Sequence, residues 1–181
     1  MSIQIGARPD AGFDDPLGML KDCHRRIERF LEIVCVVVKR ANGREMTQEE
    51  SAAIEAALGY FRVGGQRHTR DEEESLFPRM RAAGVDTAEL ERVGGLEHDH
   101  READRLHGEV DRLYTLWLDK GRLAAEEEAA LRSATEQLKA LYAIHIQVEE
   151  TIVFPHAAER LTKDAIAAMG QEFQNRRAVG K

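Results

Sequence analysis

The stretch His68-Thr69-Arg70-Asp71-Glu72-Glu73-Glu74-Ser75-Leu76-Phe77-Pro78 decides the fold, because it has a twin at His145-Ile146-Gln147-Val148-Glu149-Glu150-Thr151-Ile152-Val153-Phe154-Pro155. In both, glutamates stand four and five residues after the histidine, phenylalanine nine after and proline ten after. Each copy has an upstream histidine in step: His24 lies 44 residues before His68, and His100 lies 45 before His145. Such duplication is structural first, since repeated helix pairs pack alike. It is also chemical. Four imidazoles and at least two carboxylates would face one another across a bundle interior, the layout of a dinuclear metal site.

The surroundings of these histidines are helical in period. Leu17, Leu20, His24, Ile27, Leu31, Val34 and Val38 follow a three-four alternation after an Asp15-Pro16 start, and Asn42-Gly43 supplies a stop. Thr47 and Glu50 form a capping-box pattern opening a second helix, whose stripe runs through Ile54, Ala57 or Leu58, Phe61, Gly64, His68 and Glu72. Gly64-Gly65 weakens that helix, yet the phase of Phe61, His68 and Glu72 argues for continuity. Gly64 has two readings: close packing against another helix, or room left beside a bound metal. Pro78 is expected to kink or end the helix, and Ala82-Ala83-Gly84 to finish it. A third helix starts near Asp86-Thr87 and carries Leu96, His100, Ala103, His107, Val110, Tyr114 and Trp117 inward. A fourth is expected from about Leu123 to Pro155, and a short amphipathic helix follows to about Arg177, capping one end.

No useful strand alternation appears, so the expected class is all-α: an antiparallel up-and-down four-helix bundle with a short C-terminal helix. The expected organisation is an irregular arm over 1–15, the metal-binding bundle over 16–160, and a capping helix and tail over 161–181. At 181 residues, 43% apolar and 33% charged, the chain has the composition of one soluble domain. The longest purely apolar run, Ile33 to Val38, is too short for a membrane span. Cys23 and Cys35 lie roughly 18 Å apart along one helix, too far to bridge. With no signal-peptide pattern at the N-terminus, a reduced, cytoplasmic setting is expected. A net charge of −7 without a basic stripe argues against nucleic acid as a partner.

In a helix, four residues advance only about 40° beyond a full turn. His68 with Glu72, and His145 with Glu149, therefore offer one nitrogen and one carboxylate each from a single face. His24 and His100 add one imidazole from each of two further helices. The candidate metal ligands are thus His24, His68, Glu72, His100, His145 and Glu149: enough for two metals, with either carboxylate free to bridge. The inner stripes hold no lysine or arginine near these glutamates, which leaves a metal as the counter-charge. Mixed imidazole and carboxylate ligation suits iron or manganese, with zinc also acceptable. Glu73 and Glu150 are rotated about 140° from their histidines. They have three open roles: alternative bridging ligands, acceptors for imidazole N–H groups, or solvated charges. Asp71 and Glu74 read as surface charges, either of which could orient a ligand histidine. His98 points outward. His107 stands about 10.5 Å beyond His100 and reads as a core or cavity-lining residue, hydrogen-bonded to Tyr114 or to another helix. Tyr142, three residues before His145, is either packing or a hydrogen-bonding group near the metals.

From His24 through Phe154-Pro155 the chain resembles the hemerythrin-like, HHE cation-binding family over roughly residues 16–160. The motifs that carry this are Leu20-x-x-x-His24, His68-x-x-x-Glu72-Glu73 to Phe77-Pro78, Leu96-x-x-x-His100, and His145-x-x-x-Glu149-Glu150 to Phe154-Pro155. The resemblance implies a non-haem pair of Fe ions, oxo- or hydroxo-bridged, and a small ligand: O2, peroxide or NO. Oxygen-carrying members use a fifth histidine where this chain has Leu96. With six protein ligands in place of seven, breakdown of reduced oxygen, as a weak peroxide-degrading activity, is expected over reversible carriage. Two other functions stay open: an iron-handling or metal-buffering protein, and a metal-stabilised interaction module.

Overall fold

A computed structural model describes residues 10–84 and 87–178. The expected arm thus falls largely on residues outside the described range, as do Asp86 and the last three residues of the tail. Among the described residues there are five helical rods and no strand. Helix α1 is Pro16–Ala41; the Asp15 carboxylate accepts the Gly18 N–H, and Asn42 (φ 48°) ends it in the left-handed region. Helix α2 covers residues 48–82, opened by the reciprocal Thr47–Glu50 capping box that Arg44 reinforces with two bonds to Glu50. Helix α3 is Thr87–Lys120, closed by Gly121 at φ 73°. Helix α4 covers 125–160, starting where the Glu127 carboxylate accepts the Ala124 N–H. Helix α5 is Lys163–Ala178.

Helix α2 ends at Ala82, as expected, while α4 runs past its expected end at Pro155, and one physical reason covers both. Neither Pro78 nor Pro155 ends its helix; α2 continues to Ala82 and α4 to Arg160. A proline ring inside a regular helix meets the carbonyl four residues earlier. Here each proline follows a wider π turn, Glu72–Leu76 or Glu149–Val153. In these turns the Phe77 N–H reaches back five residues to the Glu72 carbonyl, and the Phe154 N–H does the same to Glu149. The extra residue makes room for the ring and re-aims the glutamates that begin the turn.

A third π turn, Phe61–Gly65, carries α2 past Gly64-Gly65. At Gly64 the space is taken by a side chain of the same helix. A Cβ there would come 2.6 Å from the ring of Tyr60 on the same helix. The glycine lets Tyr60 lie along its own helix, stacked on Phe30 at 4.7 Å, with its hydroxyl donating to the Cys23 carbonyl. Through that ring the glycine assists the packing of α2 on α1.

Packing arranges the core in layers. One apolar cluster fills the end marked by Val34, Ile54, Trp117 and Leu131. A smaller one gathers Leu20, Leu76, Phe77, Leu96, Phe154, Met169 and Phe173. His24, His68, Glu72, His100, His145 and Glu149 lie between the two clusters along α1 to α4, a buried polar layer within an apolar stack. Helix α5 packs on α1 and α2. Its Arg176 and Arg177 pair with Asp71 at 2.8 and 2.7 Å, and its Glu172 accepts from Arg79 and Ser75. Asp71 is therefore a buried anchor for α5 and not the surface charge expected from sequence. Its carboxyl is raised by burial, against the pull of the two guanidiniums.

Candidate metal centre

Helical spacing delivers the six predicted side chains to one place. Ligand atoms of His24, His68, Glu72 and Glu149 lie within 4.8 Å of one another, and so do those of Glu72, His100, His145 and Glu149. The two quartets share both glutamates. Individual separations run from 3.0 Å (His24 Nε2 to Glu149 Oε2) through 3.2 Å (His100 Nε2 to Glu72 Oε2) and 3.4 Å (His68 Nε2 to Glu72 Oε1) to 3.9 Å (His24 Nε2 to Glu72 Oε1). Ligand atoms about 2.0–2.2 Å from a shared ion stand at most about 4.4 Å apart, so only tenths of an ångström of closure separate this arrangement from coordination.

The hydrogen-bond census tests whether a cation fits. Both oxygens of Glu72 and of Glu149, and the Nε2 atoms of all four histidines, are buried without a hydrogen-bond partner. Close approach without bonding geometry means these atoms face a common centre and not each other. Buried carboxylates left so would be costly unless positive charge joins them. Bound positive charge would satisfy these atoms.

Electrostatics agree. Burial opposes protonation of His24, but the facing Glu149 and Glu72 carboxylates reverse this and raise it to about 10. His100 is raised to about 9 against burial, chiefly by Glu72. His145 is raised too, against burial, by Glu149. His68 is the exception, pushed down to about 4 by burial. Glu72 is held well below the ordinary carboxylate range: burial would raise it, and the surrounding imidazoles outweigh burial. The layer is a negative well that takes up positive charge.

Three of the four imidazoles are held from behind. His24 Nδ1 meets Glu150 at 2.9 Å, His100 Nδ1 meets Glu73 at 2.9 Å, and His145 Nδ1 meets Asp99 at 3.4 Å. Of the three open roles for Glu73 and Glu150, the geometry selects the acceptor for an imidazole N–H. This fixes the tautomer that presents Nε2 to the centre and raises the basicity of the ring. Asp99 was missed in sequence, where it reads only as a polar residue beside His100. Its counterpart in the first half, one residue before His24, is Cys23, which offers no carboxylate; accordingly His68 Nδ1 has no such partner. The repeated phenylalanines also acquire a role. Phe154 lies parallel to the His24 ring at 5.4 Å, and Phe77 parallel to His100 at 6.0 Å, each bracing a histidine of the other half.

The remaining predicted positions sort cleanly. Leu96 is buried apolar packing, and His98 is exposed. His107 Nε2 pairs with the hydroxyl of Tyr142 on α4 at 3.2 Å, while Tyr114 donates elsewhere, to the Val34 carbonyl.

Fold and site together define a helical protein with a buried histidine–carboxylate layer built to take cations. The model of the hemerythrin HHE cation-binding domain matches residues 15–157, and the chain belongs to that family. It is also similar to an uncharacterized protein of Haemophilus influenzae, 26% identical over 170 residues, which covers 93% of this chain and 94% of that one. Among the described residues no helix is long and apolar enough to cross a membrane.

Proposed function

We propose that the chain is a non-haem di-iron protein that binds or senses O2, peroxide or NO at a carboxylate-bridged dinuclear site, with weak peroxide breakdown as a side reaction. One observation carries this reading: two four-residue sets, each with two histidines, share the same two glutamates. In it His24 and His68 hold one ion, His100 and His145 the other, and Glu72 and Glu149 span both. When bound, a ferrous pair supplies electrons and open coordination positions to a small ligand. The rest is done by the chain. Glu150, Glu73 and Asp99 hold three imidazoles in the ligating tautomer, Phe154 and Phe77 fix two ring planes, and the flanking apolar layers keep bulk water out.

The bundle is proposed as one domain over 16–160 with antiparallel neighbours. In support, Glu32 pairs with Lys139 and Lys39 with Glu136, while His24 faces Glu149, so α1 and α4 are read in opposite order. Burial of all six ligands favours a resident metal over a rapidly exchanged one, which weighs against a buffering role. Manganese or zinc would fit the same donors.

The test is anaerobic reconstitution with ferrous iron, metal counting, and absorption spectra on adding oxygen and then peroxide. Two irons per chain and near-ultraviolet charge-transfer bands that respond to azide are expected. Stoichiometric zinc with a silent spectrum, or one ion per chain, would refute the proposal. Full iron with no response to any small ligand would leave metal handling or metal-dependent stability as the function.

A further inference from the structure

A cavity of about 210 Å³ lies between α2 and α3 and ends against His100, which is the one candidate ligand in its wall. Its rim is crossed by an exposed hydrogen bond, Gln66 to Asp104 at 2.9 Å. Deeper, His107 and the buried hydroxyl of Tyr142 meet at 3.2 Å, and Glu73, which holds His100, forms part of the wall. At about 30 Å³ for each water in the liquid, the space holds a few waters or one small ligand. It falls short of the roughly 300 Å³ where sites for larger organic ligands begin.

The polar pair breaks the internal repeat. Tyr142 stands three residues before His145, where the first half has Gly65; His107 stands seven after His100, where the first half has Leu31, packed in the core. Gly65 itself lines the cavity, and a Cβ there would meet only Phe61 at an ordinary 3.8 Å. At these two positions the second half carries hydrogen-bonding groups where the first has Gly65 and Leu31, and Gly65 leaves space beside them. Thr69, Glu73, His107 and Tyr142 in its wall offer hydrogen bonds to water, and a polar ligand crossing it can replace those bonds. O2 and NO form no strong hydrogen bonds, so their passage does not depend on these groups.

Building on the di-iron reading, we propose that this cavity admits a small hydrogen-bonding ligand, with the size and polarity of hydrogen peroxide, to the His100 side of the centre. Tyr142 and His107 form its inner polar checkpoint.

Two measurements on the full chain test this, and the first needs no metal. Ala103 is buried and lines the cavity, so in Ala103→Cys the new thiol is reachable only through it. Methyl methanethiosulfonate, with the labelled peptide located by mass, should modify that position in the native protein. Adding Gly65→Leu, or Thr69→Leu as a second plug, should slow labelling more than about tenfold, because entry then awaits local opening. Labelling that fails, or ignores both plugs, overturns the route. The second measurement uses iron-loaded protein, with azide as the polar probe and NO as the apolar one, by stopped flow. Tyr142→Phe should weaken azide binding about three- to tenfold, the worth of one hydrogen bond, and leave NO association unchanged. Equal losses for both probes, or none, overturn the polar selection. A chain that takes up no iron would sink the di-iron reading instead, and the labelling result would still decide the cavity.

Discussion

At the scale of single residues, the glutamates behind the imidazoles matter nearly as much as the ligands. Glu150 accepts from His24 at 2.9 Å, and its loss frees that ring to rotate and lowers its donor strength. Glu150→Ala should therefore weaken metal binding about 10- to 100-fold in a chelator competition, with helix content unchanged. Unaltered affinity would show that Glu150 is only a solvated charge. A second prediction concerns His107, pushed down to about 4 from 6.5 by burial. The folded protein then prefers the neutral ring, whereas the unfolded chain takes up a proton at ordinary values. This contribution to stability is complete above about pH 6.5 and is lost as pH falls from there towards about 4. In urea titrations of metal-free protein, wild type should lose more stability than His107→Gln between about pH 7.5 and about pH 5. Equal losses would mean that the buried ring is not the group responsible.

At the scale of elements, the three π turns explain why a regular helical wheel describes this chain only in outline. Histidine and glutamate four apart could be placed on one face from spacing alone, because that argument spans a single turn. What the following Phe-Pro does could not, since a change of hydrogen-bond register leaves no compositional mark beyond the proline that benefits from it. The turn Glu149–Val153 predicts its own test. Thr151 lies in it, exposed, and deleting that residue should restore a regular helix and rotate one side against the other by about 100°. Either Glu149 leaves the centre or Phe154 leaves His24. Metal content of the deletion should fall by half or more, while Thr151→Ala keeps the full complement. A deletion variant with full metal content would show that the π turn is incidental. Asp71 teaches the same lesson. Its neighbours in sequence are charged, so it reads as solvated, and only the arrival of α5 buries it between Arg176 and Arg177.

On the scale of the whole molecule, the polar layer makes stability depend on what occupies it. Two buried carboxylates without cations oppose folding, so a bound metal is coupled to the folded state. Chelation should lower the thermal midpoint, and each ion present at about a thousandfold over its dissociation constant contributes about 4 kcal/mol. A calorimetric scan with and without chelator checks this; coincident transitions would mean that protons alone satisfy the layer. In wild type the two forms should differ clearly, and in a His68→Ala variant the difference should shrink.

By itself the sequence determined the helices, the duplicated halves and the six side chains that converge, because a period of 3.6 residues ties spacing to a face and two matched copies tie one face to another. It also supplied the argument for a cation, since no basic side chain was available to oppose the glutamates. Tertiary structure decided what spacing leaves free: that Glu73, Glu150 and Asp99 stand behind histidines on other helices, that Phe77 and Phe154 brace the opposite half, and that one cavity opens beside His100. Each of these is a contact between separate rods. Helical period fixes where a side chain points on its own rod, while the rotation and depth of the neighbouring rod come only from packing.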